Sequence, residues 1–433
     1  MIGIVGGGIS GLFALHLLQK RGIEAHLFES SAHPGGVLLT RTHHLGSGEE
    51  LPLDLGPQRM RLTPGLNEIV EEVGLLSSLL YVKDRKPFTM YWQNRLHPAP
   101  TSFKAALTTS LISWPGKFRA LRDFVTSPPR PDESVAEALS RKLGPEIYER
   151  LAGPILGGLY GSDPEQMDAR HSLLPAMGRT GARRSLLAAL RRASRWDSLP
   201  AVSFHEGMGS FAEGIAKIHS ERVELNSPVR EIQRRDGGGF ILVTDRAQIH
   251  VEAVILTLPA PEAAKVIASM APGPAAKLSR LRYNPLAVVH LLLPEGEAVP
   301  DMGSGFKTTL YDPMLTRGVT DHGGLFGAES GRTRLFSAFL GGMGREEIVN
   351  MSEEELMATA VSDFHQVTNA NPLPISLHRT WMPAWDRSWE ALDSLDLPPG
   401  IHLCSAFSGR PGIPGRLEHA RQVVTRIRSS LHS

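Results

Sequence analysis

Three glycines and one acid are the first residues in this chain whose types and spacing could do chemistry. Gly6, Gly8 and Gly11 fall within Gly6-Gly7-Gly8-Ile9-Ser10-Gly11, and Glu29 follows eighteen residues after Gly11. Glycine at position 6 permits a tight turn. Gly8 lets the backbone approach a pyrophosphate, and Gly11 lets a helix pack closely on a strand. A carboxylate at the distance of Glu29 can bond the ribose hydroxyls of an adenosine. The same charge would repel a 2′-phosphate, which disfavours NADP. These residues predict a dinucleotide site.

The elements around them must place the glycines at a strand-to-helix turn. The apolar run Ile2 to Val5 reads as a strand and Leu12 to Arg21 as a helix stopped by Gly22; Ala25 to Phe28 reads as a second strand ending at Glu29. In this βαβ unit the helix N-terminus offers N–H groups and the positive end of its dipole to the phosphates. Residues 101 to 200 read as helical, with Ser134 capping a helix from Val135. Strand signals return at His219 to Ile232, Phe240 to Thr244 and Val251 to Leu258, and Gly237-Gly238-Gly239 reads as a hairpin turn. Further strands are expected at Leu286 to Leu293 and Leu335 to Leu340, with a helix over Ser352 to His365. Near the end, Ile401 to Cys404 reads as a strand. It runs into Ser405-Ala406-Phe407-Ser408-Gly409, then Gly412-Ile413-Pro414-Gly415, and a helix from about Leu417 to Leu431. This second strand, glycine turn and helix lies far along the chain from the first.

Composition bounds the rest. The 433 residues are 41% hydrophobic and 21% charged, which fits a folded globular protein of about two to three domains. The 46 Lys and Arg nearly balance the 45 Asp and Glu, so no global basic field points to nucleic acid. The single cysteine, Cys404, excludes disulfide scaffolds, zinc clusters and iron–sulfur centres. The seventeen histidines, His43-His44 included, form no metal-ligand pattern, and no nucleophile–His–acid set is present. No apolar run reaches the roughly 18 residues of a membrane span, and no secretory signal precedes the first strand. A cytoplasmic protein is expected, or one lying on the inner face of a membrane.

Two basic segments bear on that choice. Arginines 170, 179, 183, 184, 191, 192 and 195 occur with no Asp or Glu among them, and Phe103 to Phe124 sets Trp114 among Lys104, Lys117, Arg119 and Arg122. Such segments either form solvated faces of surface helices or make a peripheral contact with anionic lipid headgroups.

The order acid, Gly35-Gly36, Thr40 resembles a flavoprotein pattern in which the glycine pair makes room near the FAD pyrophosphate, with His33 at a position usually basic. Asp54-Leu55-Gly56-Pro57 resembles the same superfamily's segment beside the flavin. With the second glycine turn, whose helix can face the flavin N1–C2=O edge where negative charge collects on reduction, this favours FAD over NAD. Along nearly its whole length the chain resembles the protoporphyrinogen oxidases of haem biosynthesis, FAD enzymes of the monoamine oxidase and phytoene desaturase superfamily. The resemblance rests on Arg95-Leu96-His97-Pro98-Ala99-Pro100, Leu143-Gly144-Pro145-Glu146, Gly157 to Met167, Arg184-Ser185-Leu186-Leu187, Phe204 to Met208, Tyr283 to Val289 and Gly412-Ile413-Pro414. It departs at Gln58, at Gly303 to Thr309, at Met382-Pro383-Ala384-Trp385, and in one extra residue between Gly409 and Gly412.

The resemblance implies oxidation of a porphyrinogen, either protoporphyrinogen IX or coproporphyrinogen III, to the porphyrin, with the flavin carrying the chemistry and O2 as acceptor. Candidate cofactor contacts are Gly6, Gly8, Ile9, Ser10, Gly11, Glu29, Ser30, Gly35, Gly36, Gly56, Pro57, Gln58, Val229, Ser405, Gly412, Ile413 and Pro414. Arg59, Arg61 and Lys307 are candidate partners for substrate carboxylates. Two other readings stay open: a related amine oxidase or polyene desaturase, and an FAD-holding partner protein without turnover. The expected fold class is α/β. A discontinuous Rossmann-type FAD-binding domain spans residues 1–80, 200–265 and 395–433, a mixed α/β substrate domain spans 81–100 and 266–394, and an inserted helical domain spans 101–199.

Overall fold

The computed structural model describes residues 1–82, 87–182, 184–193, 199–327, 334–342 and 344–431. Arg183 and Arg195 of the arginine-rich segment lie outside the described residues. Ile2–Val5 is buried on both faces because it is the middle strand of a parallel five-stranded sheet. The order runs Val223–Glu224, Ala25–Phe28, Ile2–Val5, Ala253–Leu256 and Ile401–Leu403. The nearly all-apolar sequence of Ala253–Leu256 follows from the same double burial. Between the parallel strands, Val229–Arg234, Phe240–Thr244 and Gln248–Val251 form a separate antiparallel sheet, with the Gly237 to Gly239 turn joining its first two strands.

Two compact units result. One comprises Met1–Tyr81, Leu199–Leu281 and Glu390–Ser433, the other Val82–Ser198 and Arg282–Trp389. In the first unit, helices Ile9–Gln19 and Ile413–Leu431 pack together. Phe13 meets Phe211 edge-on at 6.0 Å, and Phe211 stacks on Phe204 at 5.6 Å. The second unit is built on a seven-stranded sheet in the order Leu373–Pro383, Tyr283–Leu293, Arg334–Gly341, Thr316–Asp321, Gly305–Thr308, Thr89–Trp92 and Arg95–Pro98. One pairing is parallel, Gly305–Thr308 with Thr89–Trp92; the rest are antiparallel. Helix Glu353–Thr368 covers part of it.

The structure differs from the sequence expectations in three ways. The stretch 101–198 forms no third unit, because helix Gly153–Tyr160 packs on strands Gly305–Thr308 and Thr316–Asp321. Residues 266–281 group with the first unit, where helix Pro272–Leu278 packs against Ala260–Ile267. Both glycine-turn helices begin earlier than expected, at Ile9 and Ile413, since glycine and proline are tolerated in a first turn whose N–H groups lack internal partners. Smaller shifts also occur: Ser220–Arg222 is a helical turn ahead of Val223–Glu224, and Glu252 separates two strands within the expected Val251 to Leu258 run.

Candidate functional site

The first glycine loop is shaped by what each missing side chain would strike. Gly6 has φ +108°. A Cβ on Gly11 would lie 2.2 Å from the Gly6 carbonyl oxygen, so this glycine sets how closely the helix meets the strand. Gly8 is different: its backbone is extended and a Cβ there would meet nothing within 4 Å. The protein leaves that side of Gly8 open. Leu12 donates the first intrahelical bond, to the Gly8 oxygen at 3.1 Å, so the N–H groups of Ile9, Ser10 and Gly11 precede the ladder. They can be offered to an anion.

Glu29 stands against this loop. Its Oε2 accepts from the Gly7 N–H at 2.5 Å, and its Oε1 accepts from Ser31 N–H at 2.8 Å and Ser30 Oγ at 3.2 Å. A carboxylate has capacity beyond these bonds for ribose hydroxyls. The acid thus braces the glycine loop as well as standing where a ribose would be read. Gly35 and Gly36, with φ +109° and +62°, close the far side. Gly35 N–H donates to Gly7 O at 2.8 Å, and a Cβ on Gly36 would press on Gly8 Cα at 3.2 Å.

A buried carboxylate that sequence reasoning quoted but did not place in the site ties three segments together. Asp54 Oδ1 accepts from Thr40 Oγ1 at 2.6 Å and from Met208 N–H at 2.8 Å, while Thr40 Oγ1 accepts from Gly209 N–H at 2.8 Å. Gly207 has φ +86°, and a Cβ there would run into Thr40 and Asp54. Loss of hydration, only partly offset by these bonds, pushes the Asp54 carboxyl up to about 6. The available signal was an acid two residues before Gly56-Pro57, at the end of the strand Glu50–Asp54.

Just beyond, a Cβ on Gly56 would sit 2.0 Å from the Val37 oxygen, and Pro57 is exposed. Gln58 is buried with its Nε2 lacking a partner among the described residues. An unsatisfied buried amide is costly unless something else fills its valence, and the open face of Gly8 is a cradle that a side chain would block. Both observations fit a dinucleotide cofactor.

The second turn is held by an arginine. Arg416 Nη1 donates to Ser405 O at 3.1 Å and Ala406 O at 2.6 Å, and Ser405 Oγ donates to Leu256 O at 3.0 Å. Gly412, φ +83°, delivers the chain into Ile413–Leu431, with Ile413 buried and Pro414 half-buried in its first turn. Val229 opens strand Val229–Arg234 opposite Thr244, next to a β-bulge. Loss of hydration pushes the Cys404 thiol up to about 12, so it stays protonated.

The candidate carboxylate partners are divided between the units. Arg59 and Arg61, both exposed, lie in the first. Loss of hydration and the like charge of Arg61 lower the Arg59 pKa, although a guanidinium keeps its charge. Arg61 Nη1 donates to Leu199 O at 3.0 Å. Lys307 lies in the second unit, half-buried, and a Cβ on Gly158 would come within 2.9 Å of its Nζ. Gly158 of helix Gly153–Tyr160 therefore makes room for this ammonium. Beside the same helix, Tyr160 meets Trp385 edge-on at 5.7 Å, and Trp385 stacks on Trp389 at 5.4 Å. Trp385 holds φ +53°, a left-handed backbone that bulky residues seldom adopt. Among the described residues no His, Cys, Asp and Glu cluster could hold a metal, and no helix is long and apolar enough to cross a membrane.

Comparison with known proteins follows this geometry along the chain. A family model described as flavin containing amine oxidoreductase matches residues 9–427. The coproporphyrinogen III oxidase of Mycobacterium leprae (strain TN) is 27% identical over 459 residues, covering 99% of this chain and 98% of its own. The chloroplastic protoporphyrinogen oxidase of Oryza sativa subsp. japonica is 26% identical over 398 residues, covering 84% of this chain and 74% of its own. A solved structure from Exiguobacterium sp. 255-15, provisionally named a protoporphyrinogen oxidase, superposes with a TM-score of 0.80 at 22% identity, covering 99% of this chain and 98% of that one.

Proposed function

We propose that this chain, which belongs to the flavin-containing amine oxidoreductase family, oxidises a porphyrinogen to its porphyrin in tetrapyrrole biosynthesis. It is an FAD-dependent oxidoreductase. The observation that carries the substrate reading is the end-to-end match with a coproporphyrinogen III oxidase, over 99% of this chain and 98% of the relative. The reaction removes six electrons in three two-electron steps, and with O2 as acceptor each step yields one H2O2. When bound, FAD supplies the two-electron acceptor chemistry that no side chain of the protein offers.

The polypeptide's part is binding and orientation. The N–H groups of Ile9, Ser10 and Gly11 take the pyrophosphate, with Gly8 and Gly36 leaving room for it. Glu29 accepts from the ribose hydroxyls, and the buried Gln58 amide donates to the cofactor. Val229 and Ser405 contribute backbone contacts, and the first turn presents the N–H groups of Gly412 and Ile413 and a positive dipole end to the cofactor's electron-rich edge, with Pro414, which has no N–H to offer, fixing the turn. Arg59, Arg61 and Lys307 serve the substrate carboxylates. We place the enzyme in the cytoplasm, with its basic helices either solvated or in peripheral contact with the inner face of a membrane.

Porphyrin fluorescence tests the reading. Freshly reduced coproporphyrinogen III and protoporphyrinogen IX are each mixed with the holoprotein in air and with a protein-free control. Porphyrin formation well above the control rate is expected, and the faster substrate is the one assigned. A second reading, oxidation of an amine or desaturation of a polyene, is favoured by the altered segments Gly303 to Thr309 and Met382 to Trp385. Flavin bleaching by an amine, with no porphyrin formed from either porphyrinogen, would establish it.

A further inference from the structure

Strand Thr316–Asp321 carries a bulge, and the extra residue in it is an arginine. Thr316 pairs with Leu340 and Gly318 with Phe339, so Arg317 has no counterpart on strand Arg334–Gly341. An extra residue of this kind bends its strand and re-aims its side chain. The partner strand runs into a glycine turn. Gly342 and Gly344 hold φ +87° and +77°, and Arg345 N–H returns to Gly342 O at 3.2 Å. The turn brings Arg345 back beside the 310–312 loop that Arg317 also reaches. Both arginines are half-buried, and both belong to the second unit.

Their guanidiniums meet at one carbonyl. Arg345 Nη2 donates to Asp312 O at 3.0 Å, and its Nη1 donates to Gly344 O at 2.8 Å. Arg317 Nη1 reaches the same Asp312 oxygen at 3.5 Å and Leu310 O at 3.4 Å. Both of those bonds are at the outer limit of useful length. Among the described residues Arg317 Nε and Nη2 have no acceptor, and Arg345 Nε is buried without one. Of the five N–H donors on each guanidinium, most of those on Arg317 are uncommitted.

No carboxylate neutralises the pair. Among the described residues neither arginine forms an ion pair. The acids that face Arg317 are Asp312, Asp163 and Glu347. Asp312 Oδ1 is turned to Met314 N–H at 3.1 Å and Asp163 Oδ1 to Glu165 N–H at 2.9 Å, while Glu347 is exposed. Loss of hydration, then the like charge of Arg345, lowers the Arg317 pKa, and these acids offset the effect only in part. A guanidinium does not respond by giving up its proton. The repulsion therefore persists unless an anion relieves it.

We propose that Arg317 and Arg345 bind an oxyanion, a carboxylate or phosphate group of a small molecule, through the donors that the protein leaves unused. Two planar forks suit the oxygens of one such group. The site shares no residue with the cofactor cradle or with the candidate partners of the substrate carboxylates, and it stands whichever substrate is oxidised.

The test is calorimetric titration of the holoprotein, its pyrophosphate site filled by FAD, with inorganic phosphate and separately with succinate in chloride buffer of constant ionic strength. Saturable binding of either anion is expected, and the tighter of the two names the group. Arg317→Gln and Arg345→Gln should each weaken that binding at least tenfold. Arg317→Lys, which keeps the charge and loses the fork, should still weaken it about threefold or more. Thermal melts separate an anion site from a clamp on the 310–312 loop. In chloride Arg317→Gln should melt no lower than wild type, since its carbonyl bonds are long and a repulsion is removed. The bound anion should raise the melting temperature of the wild type and leave that of Arg317→Gln unchanged. Failure of both anions to bind, or binding that the glutamine variants retain at wild-type strength, would overturn the proposal. If Arg317→Gln gives no soluble protein, Arg317→Lys decides, and wild-type affinity in that variant would overturn it as well. These measurements read no turnover, so their failure leaves the porphyrinogen reading standing, and the reverse also holds.

Discussion

Gly8 and Gly11 carry the same side chain for opposite reasons, and substitution separates them. A Cβ at position 8 meets no protein atom within 4 Å, and the backbone there is one any residue adopts. Gly8→Val should therefore fold and melt like the flavin-free wild type, yet purify without flavin. Gly11→Val places its Cβ 2.2 Å from the Gly6 oxygen and should lose soluble protein altogether. Absorbance near the flavin band together with thermal melts distinguishes the two outcomes. Asp54 makes a second prediction at this scale. Its pKa is raised from an ordinary 3.8 to about 6, so between those values the unfolded chain ionises while the folded one does not. Stability should fall as pH rises across that window, by on the order of 3 kcal/mol, and level off above it. Asp54→Asn keeps an acceptor oxygen for Thr40 and Met208 and cannot ionise. Melts of flavin-free protein should lose the pH slope in that variant, whereas Asp54→Ala should melt lower at every pH. An unchanged slope in Asp54→Asn would show that another group titrates there.

At the scale of elements, helix Leu186–Ala193 depends on a charge pair set by residues far from it in sequence: buried Asp123, paired with Lys142 at 3.0 Å, accepts from the Leu186 and Leu187 N–H groups. Loss of hydration pushes Asp123 up, but bonds from Ser185, Leu187 and Lys142 outweigh it and hold its pKa below the usual carboxylate value. The stability this adds is present above the ordinary carboxylate pKa and is lost as pH falls through the lower, folded one. Lys142→Met leaves a buried carboxylate without its cation, a change that costs about 3–5 kcal/mol, and Asp123→Asn in the same chain should restore much of it. Chemical denaturation of the two variants measures the difference. The helices that start at Ile9 and Ile413 make a related point. Each follows a glycine turn, and residue type alone placed the turns correctly while misplacing the helix starts, because a first turn tolerates residues that propensity scales penalise inside a helix.

For the molecule as a whole, the parallel sheet joins strands from residues 2–5, 25–28, 223–224, 253–256 and 401–403. Closing it requires pairings across some 250 residues, such as Ile2 with Ala253. The chain leaves this unit and returns to it twice, with the second unit made from the two excursions. Apolar runs predicted Ile2–Val5, Ala25–Phe28, Ala253–Leu256 and Ile401–Leu403 of the parallel sheet, since burial on both faces leaves a compositional mark, but only Tyr283–Leu293 and Arg334–Gly341 of the seven-stranded sheet. They could not say that residues 101–198 and 282–389 belong together. That grouping rests on helix Gly153–Tyr160 lying on strands more than 140 residues later, and such packing leaves no periodic signal.

Local rules were enough for the glycine loops, Glu29, the second glycine pair, the Ser134 capping box and the hairpin at Gly237 to Gly239. In each, the residue type is dictated by a backbone angle, a cap or a turn within a few positions. The sequence also carried the dinucleotide reading, because a pyrophosphate needs glycine where backbone must approach it. Tertiary structure alone decided which side of Gly8 stays open, that Asp54 links Thr40 to Met208, and that Lys307 leans into the gap left by Gly158. It also decided that Asp123, the one acid of the basic stretch 101–130, turns inward onto Lys142 and the first turn of helix Leu186–Ala193. Those facts depend on which distant atoms share a small volume, and neither spacing nor composition along a chain encodes a distance across it.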